Sequence, residues 1–82
     1  MKARVYVRLK TEVLDPQGEA VRRSLARAGL GGIRSVRVGK LLELEVDAVD
    51  ESAARALVIE AADALLANPV MEDYEVEVGS DA

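Results

Sequence analysis

The 82-residue sequence contains no cysteine, no histidine, no tryptophan and no phenylalanine. Without cysteine there can be neither a disulfide framework nor a thiolate metal site. Without histidine the commonest general base and the commonest metal ligand are both missing. Zinc, copper, haem and triad chemistry thus lose their usual side chains. Two tyrosines are the only aromatic residues, and 15 acidic residues against 11 basic give a net charge of −4. That balance, with so little to stack on bases, argues against nucleic-acid binding. No apolar run approaches membrane-spanning length, and Met1 leads directly into a strand pattern and not into a signal peptide. The expectation is one soluble, cytoplasmic domain over residues 1–82, binding neither membrane nor nucleic acid and assisting chemistry without performing it.

Half of the residues are hydrophobic, but thirteen of them are alanine. So short a chain buries only about 60–65% of its unfolded surface, so the predicted core is thin and aliphatic. Residues 3–10 alternate, with Ala3, Val5, Val7 and Leu9 on one face and Arg4, Tyr6, Arg8 and Lys10 on the other. This period of two predicts a half-buried strand. Asp15 and Pro16 read as the cap and first residue of a helix running to about Ala28, with Val21, Leu25 and Ala28 on one face. Gly29 is its left-handed stop, with Leu30 folding back on the last turn. A second strand is expected over Ile33–Val38, with Val36 and Val38 inward. Gly39-Lys40 reads as a tight hairpin turn. The third strand, Leu41–Asp47, puts Leu42, Leu44 and Val46 inward. Asp50 caps a second helix from Glu51 to about Ala67, with Ala54, Leu57, Val58, Ala61 and Leu65 as its stripe. Asn68, able to take a left-handed conformation, and Pro69 end it. The last strand is Val70–Val78, and Gly79–Ala82 is read as a loose tail.

The order β-α-β-β-α-β predicts an α+β, ferredoxin-like sandwich. Its four-stranded antiparallel sheet has the order 4-1-3-2, the first and third strands central and parallel, and both helices on one face. The open face then alternates in charge, with Glu75 and Glu77, Arg4 and Arg8, Glu43 and Glu45, and Arg37 on successive strands. Opposite charges on neighbouring strands favour such an order. No catalytic, cofactor-binding or metal-binding constellation emerges. The Gly31-Gly32 pair follows a helix and precedes a strand, the wrong order for a helix N-terminus to hold phosphate. A metallochaperone of this topology would need paired cysteines.

Three local patterns are more specific than the fold requires. They are Val13-Leu14-Asp15-Pro16-Gln17-Gly18, Val36-Arg37-Val38-Gly39-Lys40 with Glu43-Leu44, and Leu65-Leu66-Ala67-Asn68-Pro69-Val70 with Glu72 and Tyr74. Capping and turn formation account for Asp15, Pro16, Gly39, Asn68 and Pro69. They do not account for Gly18, since glycine in a helix costs up to about 1 kcal/mol against alanine. Together the three patterns resemble the PurS family, the small subunit of multi-subunit phosphoribosylformylglycinamidine synthase. The likeness runs from Lys2 to Val78, with Met71 where the family usually has isoleucine.

The resemblance implies a complex that converts formylglycinamide ribonucleotide, ATP and glutamine to formylglycinamidine ribonucleotide, ADP, phosphate and glutamate in purine biosynthesis. A glutaminase subunit releases ammonia and a large synthetase subunit uses it. The small subunit has no active site and binds no cofactor, the ATP and magnesium belonging to the complex. It acts as a homo-oligomer, dimer or tetramer, that bridges the other two. Gln17, Arg37, Lys40, Glu43, Glu72 and Tyr74 are then the candidate partner contacts. The competing reading is a small regulatory domain that binds an amino acid or nucleotide at a dimer interface. A thermal shift with a free metabolite alone would favour it.

Overall fold

The computed structural model describes residues 1–79. Its elements are strand β1 (Lys2–Leu9), helix α1 (Pro16–Arg27), strand β2 (Gly39–Glu45), helix α2 (Glu51–Ala61) and strand β3 (Glu72–Val78). A single π-helical stretch, Ala62–Leu66, prolongs α2. The three strands form one sheet in the order β2-β1-β3, with both pairings antiparallel.

Alternation places the side chains of β1 as expected. Ala3, Val5 and Val7 are buried, and with Val46, Ala54, Val58, Ala62 and Ala67 they make up the core. Leu42, Leu44, Tyr74, Val76 and Val78 pack against it half-buried. On the opposite face Arg4 pairs with Glu77 at 3.7 Å, Arg8 with Glu75 at 2.9 Å and Lys10 with Asp73 at 2.7 Å. The charge alternation read between the first and last strands is therefore realised across β1 and β3.

The first correction concerns the sheet. Residues 33–38 join no strand ladder, so the sheet has three strands and not four. Glu72–Val78, Lys2–Leu9 and Gly39–Glu45 keep the relative order predicted for the fourth, first and third strands. The strand expected to lie parallel to β1 is instead antiparallel to it. The cause is at Gly39-Lys40, where no hairpin forms. Positive φ occurs only at Gly29 and Gly79 among the described residues, and a tight hairpin turn requires it. Residues 33–45 consequently run in one direction, and β2 meets β1 head to tail. Gly39 is required by proximity, since a Cβ there would lie 2.7 Å from the Val7 carbonyl oxygen.

The second correction concerns α1, which does not lie on the sheet beside α2. Only α2 packs there, on β1 and β3. Val21 is 42% exposed and Ala28 is exposed, while Leu25 is half-buried. Helix α1 and the returning segment 30–38 form an arm that projects from the sheet. The molecule measures 51 × 28 × 13 Å with a radius of gyration of 16.1 Å, against about 12 Å for a compact chain of this length.

The ends of α1 are those the sequence predicts. Asp15 is the N-cap and Pro16 the first helical residue. At the C-terminus Gly29 has φ 88°, Leu30 N–H donates to Leu25 O at 2.9 Å and Gly29 N–H to Ala26 O at 3.1 Å. This is the Schellman pattern, which satisfies carbonyls the helix leaves free.

Helix α2 begins as expected, the Asp50 carboxylate accepting from Ala53 N–H at 2.8 Å. Of the predicted stripe Ala54 and Val58 are buried, joined by Ala62, and Ala61 is half-buried, whereas Leu57 and Leu65 are exposed. The π-helical turn explains the change at its end. Ala67 N–H donates to Ala62 O at 3.0 Å, a five-residue step that widens the turn by one residue. Leu66 and Ala67 thereby turn inward where a regular helix would turn Leu65. Asn68 ends the helix without a left-handed backbone. Its side-chain oxygen accepts from Val70 N–H at 3.0 Å, forming a turn of the Asx kind. Gly79 N–H donates to Lys2 O at 3.1 Å, so this first residue of the predicted loose tail is bonded to β1. Residues 80–82 of that tail lie outside the described residues.

Candidate interaction site at the base of the arm

The chain leaves β1 at Lys10, turns through residues 11–15 and starts α1, while the returning segment passes the same point at Arg37 and Val38. One side chain ties the two passages together. Asp15 Oδ1 accepts from Gly18 N–H at 2.8 Å and Oδ2 from Val38 N–H at 2.7 Å. The Arg37 guanidinium donates to the Lys10 carbonyl at 2.9 Å. An Asp15 cap was legible in the sequence, but its second bond, 23 residues away, was not.

The same crossing explains Gly18. A Cβ on Gly18 would stand 2.0 Å from the Val36 carbonyl oxygen, so the helix can touch the returning strand only where it has no side chain. Its two N–H donors, Gly18 first and Val38 second, hold the Asp15 carboxyl below the usual carboxylate range. A lowered folded-state value means that this contribution is complete above the ordinary carboxylate range. It is lost as pH falls through the lowered value.

Of the six contact candidates, Gln17, Lys40 and Glu72 line one cleft with Asp15, Val38 and Gly39. Arg37 and Lys40 share the adjoining groove with Tyr6, Arg8 and Leu41. Gln17, Arg37 and Lys40 are exposed. Glu43 is not brought to this place. It stands on the open sheet face, in register with Arg4. Glu72 and Tyr74 serve the fold. Glu72 Oε1 accepts from Asn68 N–H at 2.7 Å and closes the turn before β3. Tyr74 Oη donates to Asp63 Oδ1 at 2.7 Å, and that bond raises the phenol above its ordinary value. Asp63 and Lys10 were not singled out in the sequence. Asp63 lies eleven residues from Tyr74 with no local pattern to mark it, and the Lys10 contribution is a backbone carbonyl.

Among the described residues no polar or charged side chain is buried. None of their acidic side chains converge in a group able to hold a metal ion, and no helix is long and apolar enough to cross a membrane. The arrangement offers a surface of exposed donors and acceptors, and this surface can position partners.

The family profile described as PurS, phosphoribosylformylglycinamidine (FGAM) synthase, matches residues 2–80. The PurS subunit of this synthase from Bacillus subtilis is 46% identical over 77 residues, covering 94% of this chain and 90% of that one. The corresponding subunit from Synechocystis is 44% identical, covering 92% and 75%. In a C2 crystal form, B. subtilis PurS superposes with a TM-score of 0.86, at 44% identity, over 96% of this chain and 98% of that one. A chain in the structure of PurLQS from Thermotoga maritima gives a TM-score of 0.86 at 37% identity, covering 93% of each. The overall fold is thus that of solved PurS chains, and the chain belongs to the PurS family of phosphoribosylformylglycinamidine synthase subunits.

Proposed function

We propose that this chain is the non-catalytic small subunit of phosphoribosylformylglycinamidine synthase, needed for assembly and activity of the complex that makes formylglycinamidine ribonucleotide in purine biosynthesis. The observation that carries this reading is the likeness, over nearly the whole of both chains, to a chain of the PurLQS structure. The subunit self-associates as a dimer or tetramer and bridges a glutaminase and a synthetase. It binds no cofactor itself, and the ATP and magnesium act on the synthetase. A fixed geometry between the two sites replaces free diffusion of ammonia with a local transfer.

The test measures formylglycinamidine ribonucleotide formation by the glutaminase and synthetase with and without this chain, first with glutamine and then with ammonium as nitrogen donor. Omission should depress the glutamine-dependent rate at least about tenfold, a loss of about 1.4 kcal/mol of transition-state stabilisation. A full glutamine-dependent rate from two subunits alone would end the proposal.

Gln17, Arg37 and Lys40, exposed around the base of the arm, are the contacts this reading favours, with Glu43 on the open face; Glu72 and Tyr74, bonded within the chain, are the less favoured candidates. Changing Arg37 and Lys40 together to alanine should alter thermal stability by less than about 1 kcal/mol, because exposed charges contribute little. The same change should weaken assembly, read as subunits recovered together on a sizing column. Loss of folding with intact assembly would assign both residues to the fold.

A further inference from the structure

Two hollows on the open face of the sheet differ in charge. One is lined by Lys2, Arg4, Glu43 and Glu45, so both signs meet in it. The other, of about 450 Å³, lies beside the base of the arm and is lined by Tyr6, Arg8, Arg37, Lys40 and Leu41, with no carboxylate in its walls. Lys40 is in register with the buried Val7, so its side chain leaves β2 on the helix side and only borders this groove. Arg8 and Arg37 are the cations that belong to it. Gly39 stands opposite Arg8 in the strand pair and brings no side chain to fill the space between them.

A guanidinium carries five N–H donors. Arg8 donates to Glu75 Oε1 at 2.9 Å, and Arg37 donates to the Lys10 carbonyl at 2.9 Å. Among the described residues neither makes a further hydrogen bond, and both are exposed. Each is therefore anchored by a single bond and keeps most of its donors unspent. Beside them Tyr6 is half-buried and Leu41 is 49% exposed.

We propose that this groove takes an aspartate or glutamate side chain of a partner subunit, its carboxylate held between Arg8 and Arg37 while an apolar neighbour of that residue covers Leu41. The proposal rests on the reading that the chain is a subunit of the synthase, and it names the chemistry of one contact. Guanidinium and carboxylate groups match in planar, two-pronged pairs. The chain as a whole carries a charge of −4, so a cationic groove without a counter-ion of its own admits an acidic group at one place on a surface that repels it elsewhere. A long polyanion does not fit. The open face carries Glu75 and Glu77 on β3 and Glu43 and Glu45 on β2, so a chain of phosphates would cross carboxylates on both sides of the groove.

The test compares Arg8→Gln with Arg4→Gln. Each removes one cation from the same face of β1 and one exposed ion pair with β3, but only Arg8 lines the groove. The dissociation constant of this chain from the glutaminase and synthetase is read by titration on a sizing column. Arg8→Gln should raise it at least about tenfold, and Arg4→Gln by no more than about twofold. Arg37→Lys keeps the charge without the fork and should raise it severalfold. Added salt should weaken assembly of the unmodified chain more than that of Arg8→Gln. Where Arg8→Gln melts far below Arg4→Gln, the Arg37→Lys and salt measurements decide. Equal assembly by all four proteins overturns the groove, while loss of glutamine-dependent synthesis on omitting the chain leaves the subunit reading standing. Full synthesis without the chain overturns both. A changed mass of Arg8→Gln alone in light scattering would give the groove to a contact between copies. Stabilisation of the unmodified chain by inorganic phosphate or single-stranded RNA, absent in Arg8→Gln, would give it to phosphate. Either result overturns the proposal.

Discussion

Even alanine at position 18 should loosen the arm at its base while leaving the sheet and α2 folded. The new methyl group would stand 2.0 Å from Val36 O and 2.8 Å from Val36 C. Both are backbone atoms, so no rotamer change relieves the overlap, and either α1 or the returning strand must move. Elsewhere in a helix the substitution would gain up to about 1 kcal/mol of propensity. Forcing atoms into filled space usually costs about 1–3 kcal/mol, and an overlap this deep against backbone belongs at the upper end. The net loss of about 2 kcal/mol corresponds to a roughly thirtyfold increase in arm opening. Amide exchange over residues 16–38 should accelerate by about that factor, while exchange in β1 and β3 stays as it is. Unchanged exchange in the arm would show that α1 and Val36 are not in contact in solution.

Val58→Ala should be the costliest single truncation of α2. Among the described residues only eight hydrophobic ones are buried, and four of those are alanine. Val5, Val7, Val46 and Val58 therefore provide most of the apolar volume of the core. Val58 is 1% exposed. Removing its two methyl groups forfeits about 0.8 kcal/mol each in transfer energy, and the cavity left behind adds to the loss. The sum is about 2–3 kcal/mol, which in a domain of this size lowers the melting temperature by about 10–20 °C. Leu65→Ala removes more atoms from the neighbouring π-helical turn, but Leu65 is 84% exposed, and its melting temperature should hardly change. The reverse ranking in a thermal melt would mean that the helix turns its other side to the sheet.

The sequence by itself determined what depends on neighbours along the chain. Alternation in Ala3, Val5 and Val7 assigned the faces of β1, because successive side chains in a strand point to opposite sides. Asp15-Pro16, Asp50 and Gly29-Leu30 marked helix ends, because the groups they satisfy lie within a few residues. The basic strand β1 and the acidic strand β3 were legible as neighbours from the order of elements, and their opposite charges agreed with it. The three motifs carried the family. Only the tertiary structure decided what depends on distant backbone. Gly39 read as a hairpin turn, and only the Val7 carbonyl across the strand pair showed that it is needed for close approach. That difference reversed β2, removed the fourth strand from the sheet of one chain and sent α1 outward. Gly18 was unexplained until Val36 stood over it. The π-helical turn at Ala62–Leu66 moved the buried stripe from Leu65 to Leu66 and Ala67, a shift to which the three- and four-residue spacings of a regular helix are blind. In each case the local pattern fixed which side of an element is apolar, and long-range contacts fixed what that side meets.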